Sequence, residues 1–160
     1  MSDNKLQILE SFYQYLHSIL DVYTDLVDIL KKELECIEKD DIEKLDQVLK
    51  SKQAVLFQTK SFDKKVSEYQ TKLGISANKL TEMIPLLPEE SRLKFYGLVG
   101  QFGQTIEEVN FYKEKCETLL QSKLYTIDKA LTKLDVTNNK TYNKDAEKVQ
   151  KSIKSFETKI

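Results

Sequence analysis

Near the start of the chain apolar residues recur at Leu9, Phe12, Leu16, Ile19, Tyr23, Leu26, Leu30, Leu34 and Ile37. Steps of three and four hold one stripe on one face of a helix, and alternation by two, the strand signature, is absent. The pattern predicts a first helix over about 4–39, with Asp21, Asp25 and Asp28 off the stripe. Asp40 and Asp41 then supply a break and a new N-cap, since a carboxylate accepts the free amide protons of a first turn. A second helix is expected from Ile42 to Leu73. Its stripe is Ile42, Leu45, Leu49, Leu56, Phe62 (or Thr59), Val66, Tyr69 and Leu73, interrupted by Lys52. Gly74 stands where a left-handed helix-ending residue belongs.

A short third helix fits between Ser76, as its cap, and Ile84, with Pro85 and Pro88 ending it and starting the next. The fourth runs from Glu89 to Leu134 with Val99, Phe102, Ile106, Val109, Cys116, Leu120, Ile127, Leu131 and Leu134 in its stripe. Lys113 and Lys123 also occupy stripe positions. At 1.5 Å per residue the first helix is roughly 50 Å long and the fourth roughly 70 Å. The last ten or so residues of the fourth should therefore project past the Asp40–Asp41 turn. An apolar stripe with nothing of its own to cover it marks a partner surface.

From Asp135 to Asn143 the chain is polar and rich in Asn and Thr, which reads as a linker. Beyond it Ala146, Val149, Ile153, Phe156 and Ile160 step three and four residues apart, giving one more amphipathic helix with lysines on its outer face. The fold class is all-α: an antiparallel bundle of three long helices with a short connecting helix and a C-terminal amphipathic helix. Residues 1–134 form the bundle and 135–160 a linker plus arm. The arm either folds back as the last helix of the bundle or clamps a partner helix through Val149, Ile153 and Phe156.

Charge narrows the function. The chain of 160 residues carries 25 basic and 26 acidic side chains, and Arg92 is its one arginine. Such a balance leaves no electrostatic footprint for nucleic acid. The polar N-terminus lacks a signal-type core, and no apolar run is long enough for a membrane span. Cys36 and Cys116 lack the spacing of a metal or redox motif, so the expected setting is the reducing cytoplasm.

Candidate chemistry is thin, and the sequence reads as a protein-binding module without catalytic residues, metal or cofactor. His17, the single histidine, would have to be a phosphorylated group in a phosphotransfer bundle, but Tyr15, Leu16, Ser18 and Ile19 surround it, which favours an ordinary surface or boundary residue. Glu33, Glu35, Glu38, Asp40, Asp41 and Glu43 have no histidine to complete a metal site and read as a solvated, cap-assisting cluster. Cys116 falls in a core position and reads as a buried thiol. Gly97, Gly100 and Gly103 recur every third residue, which favours close packing against another helix or a bend.

Four pieces of the chain resemble the FlgN-type flagellar export chaperones. Leu45 to Phe57 is similar to the family's leucine-rich stretch, with Lys52 in the place of its lysine. Leu86-Leu87-Pro88 ahead of a long helix resembles the central break. Ile106 to Asn110, with Leu119 and Leu120 following, resembles the opening of the family's most recognisable region. Thr141-Tyr142-Asn143 is similar to its tail tyrosine motif. The resemblance covers about Leu6 to Tyr142, and departs from the pattern at Lys113, where a second Asn is expected, and after Tyr142, where a Gly is missing.

The resemblance implies a chaperone that binds the C-terminal helices of hook–filament junction proteins and presents them to the cytoplasmic domain of the export gate. On this reading Leu124, Ile127, Leu131 and Leu134 form one wall of a cargo site, Val149, Ile153 and Phe156 form the other, and Tyr142 meets the export gate. The alternatives are a self-associating coiled-coil scaffold, whose arm mediates homo-oligomers, and a phosphotransfer bundle using His17.

Overall fold

A computed structural model describes residues 1–134, which run α1 (Asp3–Glu38), α2 (Ile42–Thr59), α3 (Phe62–Leu73), α4 (Leu80–Met83), a 3-10 turn (Ile84–Leu86) and α5 (Glu89–Thr132). The arrangement is an all-helical bundle, as the periodicity predicts. The C-terminal helix expected over 146–160 lies outside the described residues. The Ser2 hydroxyl caps α1 by accepting from the Lys5 amide at 3.3 Å. The Asp41 carboxylate does the same for α2, accepting from the Lys44 amide at 3.2 Å. Asp40 ahead of it takes a left-handed conformation, φ 55°. Gly74 closes α3 at φ 68°, where the Gly74 and Ile75 amides reach the Thr71 and Gln70 carbonyls.

The second rod is two helices, not the single one expected from Ile42 to Leu73. Around the joint the Thr59 and Ser61 hydroxyls donate to the Leu56 and Gln58 carbonyls, at 2.6 and 3.3 Å. Such local bonds compete with the helical ladder. The joint brings both Thr59 and Phe62 into the interior, 6% exposed each. The third element is shorter than Ser76–Ile84. Its four residues start only at Leu80, and Ser76 caps nothing. Instead the Glu82 carboxylate accepts from the Asn78 amide.

α1 and the second rod run antiparallel, and α5 returns parallel to α1. Three bonds fix that alignment. Lys94 reaches Glu10, the Cys116 thiol donates to the Leu30 carbonyl, and Lys123 donates to the Ile37 carbonyl. The chain separations are 84, 86 and 86 residues, so the two helices keep register over their shared length.

Leu9, Phe12, Leu16, Ile19, Tyr23, Leu26 and Leu30 form the spine of the main core. Phe62, Val66 and Leu73 pack on one side and Phe95, Leu98, Phe102 and Val109 on the other. Phe12 stacks on Tyr69 with centroids 5.1 Å apart. Past Leu30 this core ends. Cys36, Ile37, Val48 and Cys116 are buried but lie outside that cluster.

Candidate functional site

Register determines what α5 leaves uncovered. With an offset of 86 residues at Ile37, the end of α1 at Glu38 lies level with Leu124. About eight residues of α5 continue past it, roughly 12 Å of helix. Lys123 marks the boundary. Its ammonium donates to the Ile37 and Glu38 carbonyls at 2.5 and 3.3 Å, and to the Asp40 carboxylate at 2.6 Å. A cation there satisfies the orphan carbonyls of the α1 terminus and suits its negative dipole end.

Beyond that clamp the core-facing stripe of α5 has no helix of α1 to meet. Ile127 is 51% exposed and Leu134 70%, while Leu124 and Leu131 are half-buried. These four residues are the described wall of the sequence-derived cargo site. The other wall, Val149, Ile153 and Phe156, and the docking residue Tyr142 lie outside the described residues. On the second rod, Ile42 is not a core residue as its place in the stripe suggests. It is 77% exposed at the same end of the bundle.

Just inside that end the three long helices meet at a polar node that the sequence reading missed. Glu33 is 0% exposed, and both of its carboxylate oxygens accept from the Lys52 ammonium, at 3.1 and 2.9 Å. The acidic run is therefore not wholly solvated. The stripe of α1 passes through Glu33, and Leu34, expected in the stripe, is half-buried beside it. Cys116 is buried close by, as expected. Burial first, then the Glu33 charge, pushes its thiol up to about 12. A thiol held neutral in this way is neither a nucleophile nor a ligand.

The remaining candidates are ordinary. His17 is exposed, 3.7 Å from Asp21. Among the described residues no group of three or more His, Cys, Asp or Glu could hold a metal ion, and no helix is long and apolar enough to cross a membrane. The glycine triplet neither interrupts α5 nor packs against any described residue. The helix is continuous from Glu89 to Thr132, and a Cβ built at Gly97, Gly100 or Gly103 meets nothing within 4 Å.

Comparison with curated proteins returned no match, and comparison with solved structures returned none. Comparison with protein families did: residues 1–150 match the family described as FlgN protein. That span takes in the whole bundle, the α5 overhang and the polar stretch after it. A family match over that span makes the chain a flagellar export chaperone, a member of the FlgN family.

Proposed function

We propose that this chaperone binds the C-terminal helices of hook–filament junction proteins in the cytoplasm and hands them to the cytoplasmic domain of the export gate. The observation that supports the reading is the overhang of α5: an apolar stripe that continues past the end of α1, its last partner among the described residues, with Ile127 and Leu134 exposed. A cargo helix laid along it extends the bundle by the same spacing that built it. Completing the burial of Ile127 and Leu134 contributes roughly 1–2 kcal/mol each. Ordering and association costs must be met from that gain, so Leu124, Leu131 and the arm residues Val149, Ile153 and Phe156 are needed for micromolar binding. Tyr142, on the stretch between overhang and arm, meets the export gate.

The test is a binding titration of a junction-protein C-terminal peptide against the full chain, Ile127→Asp and a chain truncated after Leu134. Both changes are expected to weaken binding tenfold or more while the thermal unfolding of the body is unchanged. Undiminished affinity in both would refute the site. Tyr142→Ala is expected to leave cargo affinity intact and reduce export; loss of both together would refute the division of roles.

A further inference from the structure

Along most of its length α2 is lightly held. From Ile42 to Val55 only Val48 is buried, and of the residues of α2 Leu56 alone is buried in the main core. Ile42 is 77% exposed and Phe57 71%. A cleft of about 790 Å³ runs between α2 and α1, lined by Ile29, Cys36, Val48 and Val55. Against α5 the helix makes hardly any contact. Both of its ends are joints. Ahead of α2 stands Asp40 at φ 55°, tied to Lys123 of α5, and behind it comes the break before Phe62, which is sunk in the core. The segment is anchored at each end and loosely seated between.

We infer that α2 is a strap that lifts from α1 as one unit while α1, α3 and α5 stay folded. Segments that bury little apolar surface open at a lower cost than the whole chain. The Glu33–Lys52 pair is a weak latch against this motion. Losing one partner strands the other charge in the interior, but lifting α2 returns both charges to water together, and a buried pair contributes little net stability against that exchange. Lifting bares Cys36 and the rest of the α1 face under Val48. Cys116 stays covered, because it packs between α5 and α1 with its thiol on the Leu30 carbonyl. On the function proposed above, the bared face lies beside the overhang and lengthens the apolar surface open to a cargo helix. The motion is read without cargo, so a negative result leaves that function standing.

The test is native-state hydrogen exchange of the full chain, with thiol labelling at Cys36 and Cys116 followed separately by peptide mass. Amides from Leu45 to Val55 are expected to exchange roughly a hundredfold faster than those around Leu16, Leu26 and Phe102. Cys36 is expected to label about tenfold faster than Cys116. Val48→Ala, which loosens the seat of the strap, is expected to speed both α2 exchange and Cys36 labelling by roughly tenfold. Val109→Ala, in the main core on α5, is expected to speed Phe102 exchange and Cys116 labelling and to leave α2 exchange and Cys36 labelling unchanged. Protection of α2 equal to that of α1 and α5, equal labelling of the two thiols, or an effect of Val109→Ala on α2 as large as on the core would each overturn the inference. So would fast exchange confined to the first and last turns of α2, which is end fraying.

Discussion

Replacing Lys52 by Met keeps the length of the side chain and removes its charge. In the folded protein this withdraws the ammonium on which both oxygens of Glu33 rest, at 3.1 and 2.9 Å. Glu33 is 0% exposed and the Lys52 side chain 12%, so water cannot take over the contact at low cost. Removing one partner of a buried pair costs about 3–5 kcal/mol, whereas replacing both by apolar groups of similar volume is often neutral or stabilising. A domain of this size has only ~5–15 kcal/mol in total. Lys52→Met alone should therefore lower the melting temperature by about 10 °C, at roughly 2–4 °C per kcal/mol. Glu33→Leu combined with Lys52→Met should return to within ~1 kcal/mol of the parent or exceed it. Urea unfolding of the four proteins in the cycle gives the coupling directly. If Lys52→Met costs under ~1 kcal/mol and the two changes simply add, the pair is not what holds these charges in the seam.

Alanine at Gly97, Gly100 and Gly103 should each raise stability by about 0.5–1 kcal/mol, read as a higher unfolding midpoint, because the helix gains propensity and the new Cβ meets nothing within 4 Å. Cys116 should react with a thiol reagent only as fast as the chain unfolds. Its neutral form is favoured in the native state, with the thiol raised from 9.0 to about 12, so the unfolded chain loses its proton first and stability should decline as pH rises through that window. Cys116→Ser or Cys116→Ala should remove that part of the alkaline decline. Asp41→Ala should cost about 1 kcal/mol by stripping the cap from the Lys44 amide, and Asp41→Asn should restore most of it.

Much of the fold was legible because the period of apolar residues is a direct report of which face is buried. It misled where hydrophobicity was allowed to overrule spacing. Strict alternation of three and four along α1 passes through Leu26, Leu30, Glu33 and Ile37, yet Leu34 is the apolar neighbour and drew the stripe to itself. The same alternation along α2 passes through Leu45, Leu49, Lys52 and Leu56. Each helix thus carried an unexplained charge in a core position, and the two charges have opposite sign. That was the available signal for the buried pair. The joint at Thr59–Phe62 was harder to see, because hydroxyl-to-carbonyl bonds leave no periodic trace and both residues fit the stripe. The glycines misled for another reason: spacing shows that small residues share a face but not whether anything faces them.

The overhang follows from lengths and from one lysine. α1 has 36 residues and α5 has 44, and the two start nearly level. Parallel helices with equal rise cannot hide that difference at both ends, so one end of α5 must project. Lys123 decides which part counts as projecting, since its bonds to the Ile37 and Glu38 carbonyls terminate α1 against the side of α5. The buried Glu33–Lys52 pair lies just on the body side of that clamp, where the main apolar core has already ended. Polar contacts of fixed geometry therefore replace hydrophobic packing over the last turns before the overhang. Packing tolerates small slides between helices, whereas a bidentate ion pair and an ammonium shared among three oxygens fix the register. Of these contacts the pair sets α2 against α1, and Lys123 sets α5 against α1, so it is Lys123 that holds the exposed Ile127 stripe at a defined height, as the proposed docking of a cargo helix requires.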